Sequence, residues 1–210
     1  MRNAYAIFAV LGLSSGLFAA ARADTALHPP LAPTRDATVN YITQMKGKAD
    51  SQKVTVSFSR NGDRMRSEPN DGSAAIILDR PAQLVTMVVT KPKIYMQFKP
   101  AGGLSSPFLL SLAMHFTPEG DDVVAGTPCH KWAIASDKGH GNACVTDDGI
   151  ILSEDGVDAD GQEGKLVAQK IDYAPIDPAI FQPPAGYEQI RGKMPLPHGN
   201  HAVGAAVTHP

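Results

Sequence analysis

Apolar residues at every second position, in short runs cut by turn dipeptides, constrain the fold of this 210-residue chain more than any other feature. Val54, Val56 and Phe58 alternate with Lys53, Thr55, Ser57 and Ser59, the pattern of a strand with one buried and one wet face. Asn61-Gly62 follows, a dipeptide suited to the positive φ of a tight hairpin turn, and Met65 between Arg64 and Arg66 returns along the partner strand. A weaker alternation precedes this hairpin, with Val39, Tyr41 and Thr43 set between Thr38, Asn40 and Ile42. The same logic predicts strands over 74–79, 83–90 and 93–98, separated at Arg80-Pro81 and Lys91-Pro92, where proline ends pairing. Further strands are expected over 122–125, 127–136, 141–146, 149–154 and 165–172, with Asp147-Asp148-Gly149 as a turn.

One segment departs from period two. Phe108, Leu109, Leu112, Ala113 and Phe116 recur at helical spacing behind Ser105 or Ser106 as an N-cap, so a short amphipathic helix is predicted over 105–116. A second, single turn of helix is expected over 177–181. The fold class is therefore mainly β with few helices. A curved antiparallel sheet needs its concave side filled by side chains, by the helix or by a ligand.

The ends of the chain carry different information. Arg2, an apolar run from Ala4 to Phe18 and Ala21-Arg22-Ala23 read as a signal peptide over 1–23, cleaved before Asp24. That run is shorter than the roughly 18 residues of a permanent span, and no cysteine stands at the cleavage point to take a lipid, so no permanent membrane anchor is expected. The expected location is periplasmic or secreted. Residues 24–36, with Pro29, Pro30 and Pro33, form an extended lead-in to a domain over 37–190, and 191–210 read as a disordered tail. Without Arg2 and Arg22 the 19 basic residues become 17 against 21 acidic ones, a formal charge of −4. A mildly acidic chain with no basic run offers nucleic acid no electrostatic footprint.

Cys129 and Cys144 are the whole cysteine inventory. An even count in an exported chain predicts one disulfide, placed across a hairpin whose loose tip is Gly139-His140-Gly141. A redox or metal-binding pair would want C-x-x-C spacing, which is absent. No metal site is expected either. Aligning Gly161 of the Asp155 to Glu163 loop with the turn glycine of a calcium loop puts Gly156 and Val167 at the two essential ligand positions. His130 and His140 lie without a defined ligand geometry, and His198, His201 and His209 belong to the tail. No nucleophile elbow surrounds Ser105-Ser106, so neither enzyme activity nor a cofactor is predicted.

The run from Asp122 through Gly126-Thr127-Pro128-Cys129-His130-Lys131 to Trp132 belongs to a set of distinctive stretches. The others are Arg64-Met65-Arg66, Tyr95-Met96, Ala143-Cys144-Val145-Thr146-Asp147-Asp148-Gly149 and the ending from Asp177-Pro178 through Phe181 to Gly186-Tyr187. Together they resemble a family of uncharacterised exported bacterial domains similar to the LolA-like superfamily of lipoprotein and lipid carriers. The resemblance implies a curved antiparallel sheet forming an incompletely closed barrel, with helices over an apolar cavity that receives acyl chains. It carries over no ligand contact, because the carriers' functional residues have no motif here. Pocket candidates come from the alternation instead: Val54, Val56, Phe58, Met65, Met87, Met96 and Phe98 on the sheet, and Leu109, Leu112 and Phe116 on the covering helix. Thioether side chains adapt to variable apolar partners, although they also serve as ordinary core filler. The expected function is non-enzymatic binding of a lipid or lipoprotein acyl chain. The alternative is an envelope structural or interaction protein with a packed core and no ligand.

Overall fold

The computed structural model describes residues 28–47 and 50–191. The signal peptide and residues 192–210 of the tail lie outside the described residues, as does the start of the lead-in. Six strands form a first meander: β1 (Ala37–Met45), β2 (Gln52–Phe58), β3 (Arg64–Pro69), β4 (Ala74–Asp79), β5 (Leu84–Val89) and β6 (Ile94–Phe98). Five more form a second: β7 (His115–Val124), β8 (Thr127–Ser136), β9 (Gly139–Val145), β10 (Ile151–Asp158) and β11 (Glu163–Asp172). A two-residue strand, β12 (Glu188–Gln189), ends the sheet.

Antiparallel pairing of β1 with β11 welds the two meanders into one sheet. The order is β12-β6-β5-β4-β3-β2-β1-β11-β10-β9-β8-β7, so the sheet is open, with β12 at one edge and β7 at the other. Only the β12–β6 pair is parallel. This is the incompletely closed, mainly β architecture that the alternation and the resemblance predict.

The turns follow their local chemistry. Asn61 and Gly62 both adopt positive φ between β2 and β3, as the hairpin requires. Gly62 has a second reason to be glycine, since a Cβ there would stand 2.4 Å from the Cβ of Ala32. Ala32 also approaches Gly149, whose Cβ would meet its carbonyl oxygen at 2.3 Å. The lead-in is thus not a free arm: Pro33 is fully buried, and the Thr34 amide donates to the Asp148 carbonyl at 2.9 Å. Residues 178–181 form the expected helical turn, capped by the Asp177 carboxylate, which accepts from the Ala179 amide at 2.9 Å.

Two local expectations are corrected. The loose tip expected at Gly139-His140-Gly141 is instead paired strand, Ser136 opposing Gly139 across a turn at Asp137-Lys138. The covering helix over 105–116 does not form. Residues 99–114 are coil and turns, and Phe116 lies inside β7. The reason is topological. This segment must run from β6, beside one edge of the sheet, to β7 at the other. Extended chain covers about 3.3–3.6 Å per residue against 1.5 Å in a helix. Gly102, Gly103 and Pro107 favour the extended course as well.

The segment still covers the sheet, as an irregular plug. Phe108 and Leu110 are buried in the main core, with Leu104, Leu109 and Met114 packed against it. Phe108 stacks at a tilt on Tyr41, ring centroids 5.1 Å apart. The outer face is covered elsewhere by the C-terminal segment: Phe181 joins Ala75, Ile77 and Val88 in a second cluster, against which Ile176, Ile180, Tyr95 and Tyr187 pack.

Candidate binding face

Register decides which side chains share the inner face, the one carrying the larger core. Phe58 opposes Met65, Met65 opposes Leu78, Leu78 opposes Val85, and Val85 opposes Phe98. One row further along, Val56 opposes Ser67, Ser67 opposes Ile76, Ile76 opposes Met87 and Met87 opposes Met96. All seven sheet residues singled out from the alternation therefore share one face. Their burial differs. Val54, Val56, Phe58 and Met65 are buried in the core, and the Ser106 hydroxyl meets the Met65 sulfur at 3.6 Å. Met87, Met96 and Phe98 are only half-buried.

The three residues assigned to the helix are scattered by its absence. Leu109 packs against the core, Phe116 reaches the inner face from β7, and Leu112 points outward at 75 % exposure. Phe116 meets Trp132 edge to face, with centroids 6.3 Å apart. Leu112 is thus not part of a buried lid.

Two further residues on this face, Trp132 at the end of the distinctive run from Asp122 and Glu154 in no motif, come together only through the pairing. Trp132 opposes Ala143, Ala143 opposes Glu154, and Glu154 opposes Leu166. Trp132 and Glu154 thus flank the small side chain of Ala143 on the inner face. The indole Nε1 of Trp132 is the one buried side-chain nitrogen or oxygen among the described residues without a hydrogen-bond partner. Glu154, half-buried, accepts no hydrogen bond and forms no ion pair with any described residue. Burial, and secondarily the charge of Asp155, pushes its carboxyl up to about 7. Tyr41 lies close by: burial and then the Glu154 charge push its phenol up, while its hydroxyl donates to the Ile151 carbonyl at 2.7 Å.

The disulfide forms as predicted. Cys129 and Cys144 are joined across the β8–β9 pair with Cα atoms 5.4 Å apart. Beside it, His130 holds Asp121 through Nδ1 at 2.6 Å and Asp147 through Nε2 at 2.9 Å. The Asp121 and then the Asp147 hydrogen bonds raise its pKa, which suits an imidazolium clamp. These groups, with Asp122, Val123 and Pro128, line a surface cleft of about 380 Å³. A second cleft of about 300 Å³ lies between the C-terminal segment and the β2–β3 turn. Neither is lined by the inner-face residues. In the Asp155 to Glu163 loop, the Asp158 carboxylate is engaged by the backbone, accepting from the Asp160 and Gln162 amides at 3.0 and 2.8 Å.

Comparison places this geometry among known folds. No family model and no curated protein matches the sequence. Solved structures do match. An uncharacterized conserved protein from Thermus thermophilus superposes with a TM-score of 0.51 at 10 % identity, over 76 % of this chain and 91 % of that one. MucB superposes with a TM-score of 0.50 at 14 % identity over 80 % of this chain, which spans only 65 % of MucB. A LolA superfamily protein from Nitrosomonas europaea aligns with a TM-score of 0.33 at 14 % identity, over 73 % of this chain and 93 % of that one. At such identities the likeness is one of fold, and the chemistry must come from this chain's own residues.

Proposed function

We propose that this protein is an exported, non-enzymatic binder of a hydrophobic ligand, taking an acyl chain of a lipid or lipoprotein between the plug and the inner face of the sheet. One observation carries the reading. Ile76, Met87 and Met96 form a continuous half-buried row across β4, β5 and β6, beside the packed core of Val56, Phe58 and Met65 on the same face. An apolar row of this kind, rich in adaptable thioether, suits an apolar partner of variable shape. The plug is held over the sheet by side-chain packing rather than by sheet pairing, so it is the element best suited to shift for a ligand. A disulfide in a chain with no other cysteine agrees with an oxidising compartment such as the periplasm.

The burial of Val54, Val56, Phe58 and Met65 favours a second reading, in which the core is complete and the protein serves as a structural or interaction module of the envelope. Titration of delipidated protein with phospholipid or an acyl ester separates the two. Stoichiometric, saturable binding is expected of the first, and its absence over the whole soluble range would leave the second. Native mass spectrometry of the protein taken from its own periplasm supplies the independent check, because a bound lipid should travel with it.

A further inference from the structure

We propose that Trp132 and Glu154 read the polar end of the bound ligand, selecting acyl compounds whose headgroup offers both a carbonyl oxygen and a hydrogen-bond donor, as a monoacylglycerol does. The proposal rests on the acyl-binding reading above and adds the class of headgroup to it.

A buried donor without a partner is a rare and costly feature, and it asks for an acceptor. The Trp132 indole is such a donor, and the neighbours that pairing and stacking give it on this face, Ala143 and Phe116, have no side-chain polar atom. A trapped water is poorly served there, since it needs two to four polar partners. Glu154 supplies the complementary half. It lies two strands away in the same row, with only the Ala143 methyl between, and no described residue pairs with it. Whether protonated or ionised, a carboxyl keeps an acceptor oxygen, so the pair presents one fixed donor and one acceptor.

The matching headgroup must accept from the indole and donate to the carboxyl. An ester carbonyl does the first, and a glycerol hydroxyl does the second. A methyl ester of the same chain has the acceptor only. A fatty-acid anion has no donor and meets a second carboxylate. Sites built around a hydrogen-bonded hydroxyl discriminate strongly against analogues that lack it, because their own polar groups are then left unpaired.

The test uses 1-monopalmitoylglycerol, methyl palmitate and palmitate at pH 8, each below its aggregation threshold. Trp132 is the only tryptophan, so its emission reports directly on the site. Monopalmitoylglycerol should bind at least tenfold more tightly than methyl palmitate, with palmitate weakest. Calorimetry on variants then assigns the contacts. Glu154→Leu should erase the preference between the two esters, Glu154→Gln should retain it, and Trp132→Phe should weaken both esters severalfold. Equal affinity of the wild-type protein for both esters would overturn the headgroup assignment while leaving acyl binding intact. Failure of all three probes to bind would remove the acyl reading and this inference with it.

Discussion

Glu154 makes the sharpest demand on the fold, because a carboxyl on the inner face with no partner must cost stability whenever it is charged. Its pKa stands at about 7 in the folded protein against 4.5 for the free group. Each unit corresponds to about 1.4 kcal/mol, so full burial would set an upper bound of about 3 kcal/mol. The side chain is half-buried, and the remaining solvent access brings the expected figure down to roughly 1–2 kcal/mol. The sign follows from proton binding. Because the folded state holds this proton more tightly than the unfolded state, the associated stability is fully present below about 4.5, declines as pH rises through about 7, and is absent above. Glu154→Gln removes the titration and keeps the shape. Urea unfolding of wild type and variant at pH 4.5 and pH 8 gives the free-energy gap between them at each pH. That gap should move in the variant's favour by roughly 1–2 kcal/mol between the two conditions. A gap unchanged across the window would refute the burial of an unpaired carboxyl at this position.

Reduction of the Cys129–Cys144 bond, or its replacement by a serine pair, should lower stability by about 3 kcal/mol on the chain-entropy account for a loop of this length, read as a drop in urea midpoint on adding reductant. Asp148 titrates the other way: burial alone would raise it, but hydrogen bonds from Thr146 and Arg35 hold it below its usual value. Its contribution is present above the unfolded pKa and lost as pH falls through the folded one, so Asp148→Asn should destabilise at neutral pH and converge on wild type in strong acid. Hydrogen exchange at the Thr34 amide, which donates to the Asp148 carbonyl, should report any loosening of the lead-in. Phe108→Ala should cost about 3–5 kcal/mol, while Leu112→Ala should stay within about 0.5 kcal/mol, in thermal or urea unfolding. Equal costs would restore the helical lid.

How much was legible in the sequence depended on whether the relevant signal was local. Val54, Val56 and Phe58 announce their strand because one face is buried and the other wet, and Asn61-Gly62 announces its turn because both residues take positive φ. Of β7 only the end was legible, within the strand expected over 122–125. β7 is an edge strand, exposed along most of its length and bent by a register shift between Pro118 and Gly120, so neither face imposes alternation. Phe108, Leu109, Leu112 and Phe116 satisfied a helical period by chance of spacing. What overrode it was a long-range fact, the placement of β6 and β7 toward opposite edges, which no window of the sequence contains. The proximity of Trp132 and Glu154 was hidden for the same reason. Their neighbourhood exists only through the registers of β8 on β9 and β9 on β10.

The disulfide and the C-terminal segment then take on related meanings. Around β3, β4 and β5, the outer face is covered by Phe181, Ile176 and Ile180, so both sides of that half are packed. The outer face of the other half has no comparable apolar cluster among the described residues. On β8 and β9, Cys144 opposes Lys131 on one side and Ser153 on the other and Ala133 opposes Asn142, while both cysteines are themselves buried with the main core. A sheet packed on one side only relies on a single core to hold its strands in register. The Cys129–Cys144 bond ties β8 to β9 covalently on that less covered half, and the His130 clamp, by holding Asp121 on β7 and Asp147 in the β9–β10 turn, adds an ionic tie at the same end. The inner face on this half carries Trp132, Glu154 and Phe116, the groups proposed to meet the ligand. A covalent and ionic frame on this half of the sheet allows those inner positions to keep unpaired polar groups that strands held by packing alone would tolerate poorly.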